Sequence, residues 1–588
     1  MSEVTLESQL FDIISNKELS EDIKLAKIDM LVMLGVDVNK KDVRERTALM
    51  FASQEGHKEI VEFLVLNGAD ISAVDVLEST ALMFASQEGH KEIVEFLVLK
   101  GADVNAMDYI KRTVLMKATE NGHKDVVEVL LAKGADINAK AIDDTLLGEV
   151  FDDEVCWVGM TALACASEKG HIDIVKFLLA KGADINDKNV NGETALSRAS
   201  LKGHKEIVEF LVANGADINV RIDYGTSALA CASGKGHIDV VKFLVANGAD
   251  VNIEGQLHGT ALIEAAENGH KEVVEVLVAN GALVNQKRGK ALIKASENGH
   301  KEVVEVLLAN GADVNQGNND ALMHASLNGH KEVVEVLVAN GADVNQKVDG
   351  DWTALIFASK NGHKEVVEFL VANGADVNQK NNDGMTALIL ALREGYKEIV
   401  ENLVSSGADI NVKGRNGITA LMMASGKGYS DIVKLLVSKG ADVDAKEEKD
   451  CTALMMASTK GYSDIVKLLV ANGADADAKD KKCRTALMRA STKGYSDIVK
   501  FLVANGADVN QKDEDGGTAL MRASLNGHSD IAEFLVLEGA DVDIKHISGK
   551  TAMDFVKNKE TKEAIIKACE KKFFQRWKVA LKGEGKIF

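Results

Sequence analysis

Thr47–Leu66 reads TALMFASQEGHKEIVEFLVL, and the same stretch returns without a change at Thr80–Leu99, 33 residues later. The frame of TAL, A-S, G-H or G-Y, then GAD-V/I-N continues almost to the C-terminus. A fixed period of this size specifies a stack of small supersecondary units in place of one globular core. Within the unit, Leu49 and Ala52 lie three apart and share a helical face. Thr47 suits the residue before a helix, and Gly56 closes that short helix where a positive φ is cheap. A second helix starts at Lys58, carries Ile60, Val61, Leu64 and Val65 as its apolar stripe, and ends at Gly68. The stretch between units is rich in Asp, Asn, Lys and Gly, as in an exposed turn or hairpin. Two helices this short cannot bury their apolar surface alone, so each unit must pack on its neighbours.

Helix-starting anchors fall at Thr47, Thr80, Thr113, Thr161, Thr194, Ser227, Thr260, Lys290, Asp320, Thr353, Thr386, Thr419, Thr452, Thr485, Thr518 and Thr551, sixteen in register. The pattern resembles the ankyrin repeat, which has the same 33-residue length and the same G-H…GAD-V-N frame, over about residues 5–570. One departure is systematic: the family's TPLH is here TAL followed by Met, Ile, Ala or Ser, and the chain contains no proline. Alanine is a good helix former but does not pre-set φ as proline does at the first turn. The resemblance implies an all-α repeat solenoid, a curved superhelix of helix–turn–helix units with short β-hairpin fingers. It also implies that first helices and fingers line a concave face where partner proteins bind.

The chain has 588 residues, 69 basic and 90 acidic, for a net charge of −21, which argues against a nucleic-acid backbone as partner. Repeated acids such as Glu59 and Glu62 stack in rows about 10 Å apart, close to a Debye length, and so confer solubility more than a strong field. The six cysteines lack C-x-x-C or zinc spacing and read as reduced thiols of a cytoplasmic protein. The start, MSEVTLESQLFDII, has no basic n-region or apolar h-region, and no run of 18 apolar residues offers a membrane span. Of 14 histidines, 11 occupy the G-H turn, a place taken elsewhere by Tyr396, Tyr429, Tyr462 and Tyr495. A position that accepts His or Tyr buttresses a turn, and copies one repeat apart cannot share a metal. Gly549-Lys550-Thr551 imitates the end of a phosphate-binding loop, but Ile544 stands where its first glycine belongs. No catalytic, cofactor-binding or metal-binding residue is assigned, and the chain is expected not to be an enzyme.

Four places depart from regularity. Residues 1–40 carry two helical patterns without a TAL start and are expected to cap the array of repeats over 41–550. Thr113 to Thr161 spans 48 residues, and the excess at 141–158 is an acidic finger insertion holding Phe151 and Trp157. The fingers at 286–289 and 316–319 are three residues short, which predicts lost hairpin pairing, a notch in the finger row and fast exchange over 285–320. Residues 551–588 form a capping repeat with a basic helical tail, where Phe573, Phe574 and Trp577 lie among lysines.

The residue two places after the TAL leucine varies from Phe51, Lys117, Cys165, Arg198 and Glu264 to a run of Phe357, Leu390, Met423, Met456, Arg489 and Arg522. A position that accepts Lys, Glu and Phe is not a uniform core site. The run is expected to present an apolar stripe followed by two arginines, the candidate partner-binding surface together with Phe151 and Trp157. The expected function is a non-catalytic scaffold that binds another protein over an extended concave surface. A substrate adaptor that recruits an enzyme, and a host-directed effector of a bacterium or symbiont, stay open as alternatives. Membrane contact is expected only through the basic tail.

Overall fold

The computed structural model describes residues 6–141, 159–222, 227–255 and 259–583, with the side chains of 6–8, 318–320 and 577–583 outside that description. Helix pairs follow one another along the chain. The pair Ala48–Glu55 and Lys58–Leu66 is typical. Thr47 Oγ1 accepts the Met50 amide at 3.4 Å, and Gly56, at φ 79°, ends the first helix in the left-handed region. The second helix closes on Asn67, whose side-chain amide donates to the Phe63 carbonyl at 2.9 Å, one of the carbonyls a helix end leaves unpaired.

Leu49, Met50 and Ala52 of the first helix and Ile60, Val61 and Leu64 of the second are buried, and the same positions are buried in unit after unit. Burying a Leu- or Ile-sized side chain stabilises by about 1.5–3 kcal/mol, so the array is held by repetition of this small core. Leu6–Ser15 and Glu21–Met33 precede the first repeat and pack on its two helices. After the last anchor the pattern fails. Thr551–Phe555 makes a turn where a first helix is expected, and a 25-residue helix, Lys559–Gly583, packs on Ser529–Leu537.

Among the described residues the fingers form no β-ladder, and only isolated antiparallel bridges occur there, at Lys41–Thr47, Met107–Thr113 and Val348–Trp352. The turn is too short for a ladder, and one acid takes over its hydrogen bonding. Asp42 Oδ1 accepts the amides of Arg44 and Arg46, both at 2.8 Å, around Glu45 at φ 59°. Asp75, Asp480 and Asp513 do the same in their turns, and Asp108 accepts the Arg112 amide at 2.8 Å. Successive fingers touch through single bonds, such as Val76 N to the Arg44 carbonyl at 3.1 Å and Lys481 N to the Lys449 carbonyl at 2.9 Å.

A second stitch comes from the asparagine of GAD-V-N. Asn345 Nδ2 donates to the Gly374 carbonyl at 3.0 Å while its Oδ1 accepts the Asp376 amide at 2.7 Å, joining one unit to the next. Asn39, Asn219, Asn378 and Asn510 repeat the bridge. Asp444 and Asp477 stand in the same place and only accept, at 2.9 and 3.0 Å.

The chain divides into two compact units, residues 1–295 with 302–313 and residues 296–301 with 314–588, so the division falls among the shortened fingers. In the first of these fingers the loop is replaced by a left-handed run, Lys287, Arg288 and Gly289 at φ 49°, 60° and 74°, leading into the next helix. The asparagine stitch survives there, with Asn285 Nδ2 to the Gly311 carbonyl at 2.9 Å and Asp313 N to Asn285 Oδ1 at 2.8 Å. The shortened finger also keeps hold of the preceding one, with Lys287 Nζ donating to the Gly255 carbonyl at 2.8 Å and Gln286 Nε2 to Glu254 Oε1, so side chains bridge there to the preceding finger.

Left-handed backbone costs about 1–2 kcal/mol for a residue with a Cβ, against roughly 0.5–1 kcal/mol of extra chain entropy for glycine. Arg288→Gly is expected to stabilise by about 0.5–1 kcal/mol and to slow amide exchange over 285–290; unchanged or faster exchange would contradict the strain. Burial raises the Asp477 carboxyl above its ordinary value, helped by Asp508 and Asp475 against the opposing Asp508 amide. The folded state thus holds the proton more tightly, and stability falls as pH rises above about 3.8. Asp477→Asn restores a donor toward the Gly506 carbonyl and removes the charge. The gain should be about 1 kcal/mol at pH 7 and shrink toward pH 3, as read by denaturant melts.

Candidate interaction surface

Along each first helix, the position four after the anchor is flanked by residues of the core. In Ala453–Lys460, Leu454, Met455 and Ala457 are buried while Met456 between them is half-exposed. That position is where the units differ, and its surroundings change along the chain.

Within residues 1–295 the position is buried at Lys117, Cys165 and Arg198 and half-exposed at Phe51, Phe84, Cys231, Glu264 and Lys294. The Phe51 ring lies 5.3 Å from Phe11, with the Arg46 guanidinium 4.1 Å from its centroid. Lys117 is only 8% exposed, and its Nζ sits 3.1 Å from Asp108 Oδ2, a carboxylate that Arg112 Nε also reaches at 3.0 Å. Burial, followed by Arg112, lowers the ammonium of Lys117 from its ordinary value against the pull of Asp108. Arg198 is buried against Glu193 at 2.8 Å and Glu168 at 3.8 Å. Burial pushes the Cys165 thiol far up, which leaves it protonated and inert. The position is thus not uniform along the row, and Lys117 and Arg198 are buried because fingers and neighbouring first helices supply the counter-charges.

The position is half-exposed again from Cys231 onward, with Leu390 as the exception, and from Phe357 it carries mostly apolar and then arginine side chains. Phe357 stacks on Trp352 with centroids 4.8 Å apart, and Lys360 Nζ lies 5.1 Å over the indole. Met423 and Met456 are half-exposed. Leu390 does not join them. It is 1% exposed, in a helix Ala387–Glu394 whose Leu388, Ile389 and Leu392 are also buried. A leucine is shorter than the Phe357 and Met423 side chains on either side of it in the row, and it remains with the core. The apolar stripe is therefore interrupted.

Arg489 and Arg522 follow. Arg489 Nη2 donates to Asp480 Oδ2 at 2.6 Å and to Cys451 Sγ at 2.8 Å, and Nη1 to Thr459 Oγ1 at 3.3 Å. Arg484 Nε reaches the same Asp480 oxygen at 3.0 Å. Arg522 Nη2 pairs with Asp513 Oδ2 one repeat on. Burial works against the Asp480 charge, but the amides of Arg484 and Lys482 and the two guanidinium groups hold its carboxyl below the usual range. The acid nine residues before a helical cation, as in Asp108/Lys117, Asp480/Arg489 and Asp513/Arg522, is legible in the sequence and marks these pairs.

Other features expected to matter lie apart from this row. Phe151 and Trp157 fall outside the described residues; the ends of their insertion meet where Ala141 N donates to the Met160 carbonyl at 3.2 Å and Gly159 N to the Ala141 carbonyl. Phe573 and Phe574 are 69% and 59% exposed on the last helix, while Lys571 pairs with Glu533 at 2.7 Å. The G-H histidines join units. His123 Nε2 lies 2.9 Å from the Gln87 carbonyl, and His204 Nε2 2.8 Å from that of Glu168, so each ring carries its proton on Nε2 as donor. His57 differs: its Nε2 meets Lys24 Nζ at 2.7 Å, and burial, then Lys24, lowers its pKa. Among the described residues no three His, Cys, Asp or Glu gather as a metal would need, and no helix is long and apolar enough to cross a membrane.

The family model of ankyrin repeats in three copies matches residues 23–108, 76–141, 144–222, 220–288, 283–348, 322–414, 411–480 and 454–546. No curated protein matches the chain.

Asp480 organises the open end of the row. Because its pKa is depressed, its contribution is present above the unfolded value near 3.8 and is lost as pH falls through the folded value. Asp480→Asn is expected to cost about 1.5–3 kcal/mol at pH 7, with the difference from wild type vanishing toward pH 2–3. A pH-independent difference in denaturant melts would assign the loss to packing alone.

Proposed function

Because this chain belongs to the ankyrin-repeat family, whose repeats are protein–protein interaction modules, we propose that it is a non-catalytic scaffold. Its partner protein lies along the first helices of residues 353–526. One observation carries this assignment. In these units one helical position, half-exposed between buried neighbours everywhere but at Leu390, carries side chains suited to a partner, from aromatic Phe357 through Met423 and Met456 to Arg489 and Arg522. Buried flanks hold each of these side chains on a fixed backbone, which limits the ordering that binding requires. Methionine adapts its shape to a partner, and arginine is enriched at the energetic centre of interfaces. Leu390 supports the surface from below instead of contributing to it. The helices over 6–33 and 559–583 serve as caps for the two ends of the repeats. Phe151 and Trp157 on the inserted finger supply a second contact point.

Affinity capture from the native host followed by crosslink mapping tests this directly, with crosslinks expected on the first helices over 353–526. Met423→Glu with Met456→Glu should weaken capture at least tenfold, since two buried apolar contacts of about 1 kcal/mol or more each are lost and charge is introduced. Melting of the double variant should stay unchanged because both side chains are half-exposed. Crosslinks confined to the second helices, or undiminished capture, would refute the proposal.

A further inference from the structure

At one cavity of this acidic chain cations outnumber acids. A pocket of about 170 Å³ opens among Thr459, Arg484, Arg489, Thr492, Lys493 and Arg522. That is the volume of about five or six waters at roughly 30 Å³ each, enough for one oxyanion group and its first waters. Four of these residues are cationic, while two carboxylates, Asp480 and Asp513, bond to them. Two positive charges are left over. Asp480 and Asp513 are themselves almost wholly buried, bound to amides of their own turns, so they fix the guanidinium groups without projecting into the pocket.

Donor capacity remains. Arg489 Nε is buried without an acceptor. Among the described residues Arg522 reaches Asp513 through Nη2 alone, and Lys493, exposed at the rim, has no carboxylate within ion-pair distance. The hydroxyls of Thr459 and Thr492 donate to the Met455 and Met488 carbonyls at 2.7 Å, which turns their lone pairs, not their protons, toward the surroundings. Arg489 Nη1 uses the first of these oxygens, so the fork is oriented before any ligand arrives. Preformed guanidinium forks beside a lysine suit an oxyanion, to which they donate charge-assisted, paired hydrogen bonds.

We propose that this pocket binds an oxyanion side chain, a phosphoryl group or carboxylate, carried by an extended segment of the partner. The proposal rests on the first-helix row being the partner surface. Met456 precedes Arg489 in that row by one repeat, and packed helices lie about 8–10 Å apart. An extended chain rises about 3.3 Å per residue, so the anionic residue falls about three positions from the apolar residue seated on Met456. Because the chain as a whole carries a net charge of −21, the protein repels acidic segments that cannot reach this pocket.

Fluorescein-labelled peptides with a leucine and a phosphoserine about three residues apart, in both orders, provide the probe, beside versions carrying glutamate or serine. Anisotropy with the full chain should show phosphoserine or glutamate peptides binding at least tenfold more tightly than the serine peptides. Inorganic phosphate should compete. Preference for phosphoserine identifies the source as phosphorylated, and equal binding of glutamate identifies it as acidic; either supports the pocket. Lys493→Glu, on an exposed side chain, should lower affinity at least tenfold at unchanged melting, and Arg484→Gln provides a second, independent variant. Equal binding of all peptides in wild type, or no effect of both variants, overturns the proposal. Partner capture that depends on Met423 and Met456 but shows no anion preference would refute this pocket while leaving the interaction surface standing. Anion binding without any captured partner would do the reverse.

Discussion

In most units the G-H or G-Y turn brings an aromatic ring over the glycine that ends the first helix of the preceding unit. A Cβ built on Gly56 would lie 2.5 Å from His90 Cε1, and one on Gly362 would lie 2.7 Å from Tyr396 Cε1. Both glycines also have positive φ, 79° and 85°, so side chain and backbone exclude any substitute. The imidazole then donates to a carbonyl two residues before that glycine, as His90 Nε2 does to Gln54 at 3.0 Å. Neither helix of a unit can bury its apolar face alone, and this contact sets how closely the next unit approaches. The asparagine bridges and the single bonds between fingers follow once that approach is fixed. Tyrosine keeps the ring above glycine at Tyr396, Tyr429, Tyr462 and Tyr495, which explains why the two residue types alternate at one position.

The same spacing governs charge. First helices stand side by side, so a cation at the variable position faces either a neighbour or a finger acid. In residues 108–202 acids surround Lys117 and Arg198 closely enough to bury them, and the ions are matched nearly one to one. Buried pairs of this kind contribute little net stability but are expensive to break. In residues 480–522 the acids sit low in their turns and the guanidinium groups stand half-exposed above them. One repeating device thus yields a closed ionic core in one stretch and an open cationic pocket in another.

The shortened fingers show which contacts the array can do without. Removing three residues after Asn285 eliminates the turn acid, yet Lys287 Nζ still reaches the Gly255 carbonyl of the preceding finger and the asparagine bridge to Gly311 persists. The chain bridges the gap with consecutive left-handed residues, a local strain tolerated because the stitches on both sides of it remain.

Helix positions, caps and core were legible in the sequence because each depends on residues within one unit: Thr47 and Gly56 bound a helix, and Ile60, Val61 and Leu64 mark its buried face whatever lies beyond. The fold class and the structural role of the G-H position follow from periodicity for the same reason, whereas its bond to the preceding unit is seen only in the structure. The first helix at Thr551 and the β-hairpin fingers were misjudged, since ladder formation turns on whether a side chain such as Asp42 takes the amides first. Exposure along the variable row was beyond the sequence. Leu390 is buried and Met456 is not, and Lys117 is buried while Arg489 opens onto a pocket, although all four hold the same place in the repeat. Their surroundings are set by side chains about nine residues away in the finger and about one repeat away in the neighbouring helix, so only the tertiary structure decides which of them meet solvent.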